Sequence, residues 1–177
     1  MPSPDIAPLY SAVRDVPDFP SPGIIFKDIT PLLADPALFQ LTISALTETL
    51  AQAHVTKNNG IDARGFIFAA AVADRLHLGF IPVRKKGKLP YKTESIAYDL
   101  EYGSNEIEIH ADAVHPGERV WLMDDVLATG GTAAAAAALI ARLGGHLIGI
   151  TFLVELAFLA GRQHLPPNVP VHSILTY

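Results

Sequence analysis

Residues 120–132, Val-Trp-Leu-Met-Asp-Asp-Val-Leu-Ala-Thr-Gly-Gly-Thr, constrain the fold more than any other stretch of the chain. An apolar strand over 119–123 runs into two adjacent carboxylates. Two glycines and two threonines then turn the backbone. An alanine-rich helix over 132–143 follows, closed by Gly144 and Gly145. Residues 147–154 are apolar again and read as the next strand. A strand–helix–strand unit of this kind belongs in a parallel sheet covered on both faces.

Periodicity elsewhere extends that plan. Asp35 is a good N-cap and Pro36 a good first helical residue, and Phe39, Ile43, Leu46 and Leu50 fall on one helical face. The pattern predicts a second apolar helix over 66–76, a short buried strand over 79–83, an alternating strand over 106–110 and a last strand over 171–175. Upstream, Pro17, Pro20, Pro22 and Pro31 argue against regular helix and central strand in the N-terminal third. No repeat or low-complexity linker divides the 177 residues, so a single α/β domain is expected over 1–177.

Composition narrows the function classes. The longest apolar stretch, 133–141, is mostly alanine and too short to span a membrane. Residues 1–5 lack a basic start followed by an apolar block, so no secretory signal is expected. Cysteine is absent, which excludes disulfides and cysteine–zinc sites. These features give a cytoplasmic expectation. A formal net charge of −5 argues against a nucleic-acid partner held by bulk charge. Positive charge is local, and its clearest cluster is Arg84, Lys85, Lys86 and Lys88.

The turn at 128–132 has the chemistry of an anion site. N–H groups at a helix start point outward, and the helix dipole favours negative charge there. Gly130 and Gly131 let the backbone approach a phosphate, Thr129 and Thr132 add hydroxyl donors, and Asp124 and Asp125 can accept from the two hydroxyls of a ribose. The bland alternative is a strand-to-helix turn with solvated aspartates and Thr132 as a plain N-cap. The order of acids, loop and helix favours a ribose-phosphate site. The segment matches neither G-x-x-x-x-G-K-[ST] nor G-x-G-x-x-G.

This stretch resembles the phosphoribosyl-pyrophosphate signature of type I phosphoribosyltransferases. The resemblance implies that family's fold: a mainly parallel twisted sheet flanked by helices, a small N-terminal hood over about 1–34 and a flexible closing loop over about 84–104. It implies that Asp124 and Asp125 hold the ribose hydroxyls and that Ala128, Thr129, Gly130, Gly131 and Thr132 cradle the 5′-phosphate.

Four further segments resemble adenine phosphoribosyltransferases in particular. Residues 18–33 are similar to the proline-rich hood, which implies that Phe26 stacks on adenine, that the Ile25 backbone reads its edge and that Lys27 belongs to the binding set; Phe26 as plain core is the alternative. Residues 60–66, Gly-Ile-Asp-Ala-Arg-Gly-Phe, resemble the pyrophosphate loop. That implies contacts from Asp62, Ala63 and Gly65 to pyrophosphate, a contact from Arg64 to adenine with help in catalysis, and an unusual peptide, cis if the likeness holds, between Asp62 and Ala63. A surface Asp–Arg ion pair is the alternative. Residues 84–90 resemble the cationic segment, with Arg84, Lys85 and Lys88 facing pyrophosphate. Residues 95–103 resemble the closing loop, which implies that Glu101 is the acid/base and that Tyr102 binds substrate.

Two departures accompany the likeness. Thr56, Lys57, Asn58 and Asn59 replace an apolar strand before the pyrophosphate loop, so a short, frayed or displaced strand is expected there. Residues 68–71 lack a glycine-proline step. The implied reaction joins adenine to 5-phosphoribosyl-1-pyrophosphate and releases AMP and pyrophosphate, with Mg²⁺ carried on the pyrophosphate and a homodimer as the assembly. A transferase for another purine base, or a non-catalytic sensor of phosphoribosyl pyrophosphate, are the alternatives.

Overall fold

The computed structural model describes residues 4–99 and 104–177. Seven strands form one sheet: β3 (Lys57–Ile61), β4 (Gly79–Lys85), β5 (Thr93–Asp99), β6 (Ser104–His110), β7 (Arg119–Leu127), β8 (His146–Glu155) and β9 (Val171–Thr176). Their spatial order is β5-β6-β4-β3-β7-β8-β9. β4, β3, β7, β8 and β9 run parallel, while β6 joins β4, and β5 joins β6, antiparallel. Helix α5 (Gly131–Arg142) packs on one face around Leu122, Ile140 and Phe152. Helices α3 (Pro36–Leu50) and α4 (Gly65–Arg75) cover the other face around Phe68, Met123 and Leu153. The Asp35 carboxylate accepts from Ala37 and Leu38 N–H, each at 2.9 Å, which caps α3 as its sequence predicts.

The N-terminal segment stands apart from the sheet. Helix α1 (Ala7–Ala12), the antiparallel ribbon β1 (Arg14–Pro17) and β2 (Ile25–Asp28), and helix α2 (Thr30–Ala34) lead into α3. Both short helices carry proline in their first turn, where a missing N–H costs no helix bond, so the prolines punctuate this region without excluding helix from it.

Two sequence expectations need correction. The polar run 57–59 is no frayed edge: β3 is the central strand, bonded on both sides by β4 and β7. Asn58 and Asn59 are fully buried, and Asn58 Nδ2 donates to the Ala69 carbonyl at 3.0 Å. The two backbone ladders satisfy the main-chain groups of these residues, while Asn58 Oδ1 and both side-chain polar atoms of Asn59 have no partner among the described residues. Strand β7 also runs four residues past Met123, so Asp124 and Asp125 lie within it and the turn begins only at Ala128. Helix α5 accordingly starts at Gly131, with Gly130 rather than Thr132 as its N-cap.

Candidate active site

The chain leaves β3 for β4 on one side, while β7 flanks β3 on the other. Ligand sites in open parallel sheets sit at such a switch, beyond the carboxyl ends of the strands. Three strand ends meet there. β3 delivers Asp62, Ala63 and Arg64, β4 delivers Arg84 and Lys85, and β7 delivers Asp124 and Asp125; together with Thr132 they line a cavity of about 340 Å³. The Asp62–Ala63 peptide at its wall is cis.

Charge in this cavity is internally matched. Arg84 Nε donates to Asp62 Oδ2 at 3.0 Å, and Arg84 also donates to the Lys88 carbonyl at 3.1 Å. Arg64 Nε lies 2.6 Å from Asp125 Oδ2, but without the alignment of a hydrogen bond, so that buried oxygen has no donor among the described residues. Asp124 Oδ1 accepts from the Asp125 N–H at 2.8 Å. Burial first, and the adjacent Asp125 charge second, push the Asp124 pKa well above the usual carboxylate range. A carboxyl with a raised folded-state pKa stabilises the fold most at pH below its unfolded value and loses that contribution as pH rises through the folded value. At neutral pH Asp124 therefore costs stability. Asp124→Asn should raise the Tm of the ligand-free protein by a few degrees at pH 7–8, which a thermal melt checks.

Gly65 is needed where α4 begins. A Cβ at this position would lie 2.6 Å from Asp124 Oδ1 and 3.1 Å from Asp124 Cα, so only glycine lets the helix start close on the acidic pair.

The turn after β7 forms a small cradle of about 70 Å³ lined by Ala128, Thr129, Gly130, Gly131 and Thr132. Gly130 takes φ +85°, and a Cβ there would collide with the Gly161 carbonyl. Gly161 belongs to a short 3-10 turn, Gly161–His164, that sits against Ala128. Glu155, at the end of β8, fixes this turn by accepting two hydrogen bonds from Arg162, at 2.6 and 2.7 Å. Nothing local in the sequence marks Gly161 as a neighbour of the cradle; the contact spans about thirty residues.

A third cavity, about 760 Å³, opens between the ribbon and the β7 turn. Ile25, Lys27, Ala128 and Thr129 line it, whereas Phe26, which the hood resemblance sets on the base, is not among its lining residues. Leu156, Phe158, Leu159 and Tyr177, which sequence reasoning left unassigned, line it too. Lys27 Nζ pairs with Asp15 at 2.6 Å and lies 4.1 Å from the Tyr177 ring centroid. Phe26 sits edge-on to Phe19 with centroids 5.2 Å apart, and the Arg64 guanidinium carbon is 5.4 Å from its ring. Ile25 lies opposite Pro17 in the ribbon. Proline has no N–H, so the Ile25 carbonyl receives no donor from that partner.

The sequence model of the phosphoribosyl transferase domain matches residues 32–168. A Frankia casuarinae adenine phosphoribosyltransferase is 57% identical over 168 residues, covering 95% of this chain and 89% of the Frankia protein. The chain belongs to the adenine phosphoribosyltransferase family. Solved members share its fold. The Rhodothermus marinus enzyme superposes with a TM-score of 0.91 at 54% identity, covering 96% of this chain and 97% of that one. The Saccharomyces cerevisiae enzyme, solved with adenine and an imino-altritol bisphosphate, gives 0.89 at 41% identity, covering 94% and 96%. The type I fold of the family is thus the fold of this chain.

Not every residue singled out in the sequence converges. Lys88 does not line the 340 Å³ cavity. Its backbone instead shapes the cationic turn. Glu108, only 2% exposed, accepts from Lys88 N–H and Leu89 N–H, each at 2.9 Å, and from the Thr93 hydroxyl at 3.1 Å. Burial pushes the Glu108 pKa up, but these donors outweigh it and hold it below the ordinary value of 4.5. A lowered carboxylate contributes its full stabilisation above the unfolded pKa and loses it as pH falls through the folded one, so the turn is held at neutral pH. Glu108→Ala leaves the Leu89 N–H without an acceptor and the Lys88 N–H with only its longer bond to the Lys85 carbonyl at 3.3 Å, which should cost about 1–3 kcal/mol and raise the KM for phosphoribosyl pyrophosphate more than that for adenine. Melts and steady-state kinetics check this. Glu101 and Tyr102 lie outside the described residues.

Mg²⁺ has no ready-made cage here. Among the described residues, no group of three metal-binding side chains comes together. Asp124 and Asp125 are the carboxylates that would hold such a cation, with Asp125 Oδ2 already 2.6 Å from Arg64 Nε. No helix among the described residues is long and apolar enough to cross a membrane.

Proposed function

We propose that this chain transfers the phosphoribosyl group of 5-phosphoribosyl-1-pyrophosphate to adenine, giving AMP and pyrophosphate. The observation that carries the reading is the position of residues 124–132 between two unlike cavities. Ala128 and Thr129 face the apolar one, while Asp124, Asp125 and Thr132 face the charged one, which Arg64, Arg84 and Lys85 also line. A ribose held on the acidic pair, with its 5′-phosphate in the cradle, would present C1 between a flat base and a leaving anion.

Each residue then has a physical task. Asp124 and Asp125 accept from the ribose hydroxyls. The N–H groups of 128–132, that of Thr132 included, and the Thr129 hydroxyl hold the 5′-phosphate. Asp62, Ala63 and Gly65 offer backbone groups to pyrophosphate, and Arg84 and Lys85 neutralise it, with Lys88 on the adjoining turn outside the cavity. Phe26 stacks on the base. The Ile25 carbonyl, free of a ladder donor, accepts from the exocyclic amine of adenine; a 6-oxopurine puts an acceptor there and is rejected because two acceptors face each other. As the C1–O bond to pyrophosphate breaks, N9 attacks C1 and loses its proton. Glu101 on the closing loop takes part in that proton exchange, Tyr102 completes the loop's contacts with substrate, and Arg64 holds the base from the opposite side. Mg²⁺, which the family uses with phosphoribosyl pyrophosphate, would be held by the substrate's oxygens and through water by Asp124 or Asp125, and supplies positive charge to the leaving group.

The chain acts as one domain with a hood over about 1–34 and a closing loop over about 84–104, in the cytoplasm and as a homodimer. Incubation with Mg²⁺, phosphoribosyl pyrophosphate and each purine base in turn tests the reading. Adenine should yield a nucleotide and stoichiometric pyrophosphate. Equal turnover of hypoxanthine or guanine would contradict the Ile25 assignment, and no product from any base would point to a sensor.

A further inference from the structure

Tyr98 projects from β5 into the cationic cavity, beside Arg64, Arg84 and Lys85. Thr132, the last residue of the cradle, donates its hydroxyl to the Tyr98 oxygen at 3.0 Å. Because the Tyr98 oxygen accepts in that bond, its own hydrogen remains available, and among the described residues it donates to no protein atom. A half-buried phenol whose hydrogen no protein atom uses, set on the wall beside two arginines and a lysine, offers that donor to an anion filling the cavity.

We propose that Tyr98 is a substrate-contacting residue whose hydroxyl donates to the pyrophosphate group. The proposal rests on the phosphoribosyl-transfer reading of this cavity. Tyr98 differs in kind from the other anion partners there. Asp62 already engages Arg84, and Asp125 lies against Arg64, so part of the cationic charge is compensated before substrate arrives. A neutral O–H adds a bond to the anion without a charge that those carboxylates would neutralise. The bond from Thr132 also ties Tyr98 to the 5′-phosphate cradle. One hydroxyl pair thus bridges the two anionic ends of the substrate and fixes their separation. Tyr98 lies on the strand that leads into the closing loop, so its engagement with pyrophosphate also anchors that loop's first strand. A second tie acts on the same strand: Arg142, at the end of α5, donates to the Ser95 carbonyl at 3.1 Å.

Tyr98→Phe removes the oxygen and nothing else. Its affinity for Mg²⁺-pyrophosphate and for phosphoribosyl pyrophosphate, measured by titration calorimetry, should fall about ten- to hundredfold, the range for a hydrogen bond to a charged group. AMP lacks the pyrophosphate, so its affinity and the Tm should stay near wild type. Wild-type affinity of the variant for Mg²⁺-pyrophosphate would overturn the proposal. Equal weakening of AMP and pyrophosphate would also overturn it, because Tyr98 would then be a strut for Thr132. The phosphoribosyl-transfer reading fails separately, if the wild-type protein makes no nucleotide from adenine.

Discussion

Gly130→Ala is expected to lower kcat/KM for phosphoribosyl pyrophosphate by about a hundredfold or more, the size of effect that a misplacement near 1 Å can have. Two independent causes act at this residue. Its φ of +85° lies in the left-handed region that side chains disfavour, and any Cβ would drive into the Gly161 carbonyl. Backbone meets backbone at that point, so no rotamer change relieves the clash and the cradle itself must move. Strain of about 1–3 kcal/mol should appear as a lower Tm. Gly161→Ala gives the reciprocal test. Its Cβ would strike the Ala128 carbonyl, so it should reproduce the kinetic defect although the residue lines none of the three cavities. Steady-state kinetics on both variants decide the matter. Wild-type kcat/KM in Gly130→Ala would show that the cradle does not hold the phosphate in one fixed geometry.

Glu101→Gln should cut kcat by about a hundredfold or more, with smaller changes in KM for either substrate, as expected when proton exchange is removed and size and hydrogen-bonding capacity are kept. The reason is chemical. Adenine carries a proton at N9 that must leave as the glycosidic bond forms, and a carboxyl near N7 can exchange a proton and let electron density reach N9. The assignment comes from the closing-loop resemblance. Nearly unchanged turnover, with chemistry shown to be rate-limiting, would leave Glu101 as a residue that only helps close the site.

Features governed by neighbours in sequence were legible. The Asp35–Pro36 cap, the helical stripe of Ile43, Leu46 and Leu50, and the order of acids, glycines and helix at 124–132 are all set by local geometry, and the structure keeps each of them. The parallel sheet followed from the alternation of strands and helices. What escaped sequence reading depends on partners far along the chain. Lys57, Asn58 and Asn59 look too polar for a central strand, yet two neighbouring ladders hold them there. Gly161 is an ordinary loop glycine until it meets Gly130. Tyr98 and Glu108 sit on strands whose antiparallel pairing turns them toward the cationic segment, and alternation alone does not say which face will carry an anion. Leu156 and Tyr177 join the base cavity only because β8 and β9 end beside the hood.

The division of labour across residues 124–132 is the central claim, and a crystal structure with AMP and pyrophosphate tests it most directly. The 5′-phosphate should lie within hydrogen-bond distance of the backbone N–H groups of residues 129–132, with the adenine against Ile25 and Phe26 and the pyrophosphate beside Arg84, Lys85 and Tyr98. An AMP phosphate bound anywhere but this cradle, or a base lying in the cationic cavity, would contradict the account.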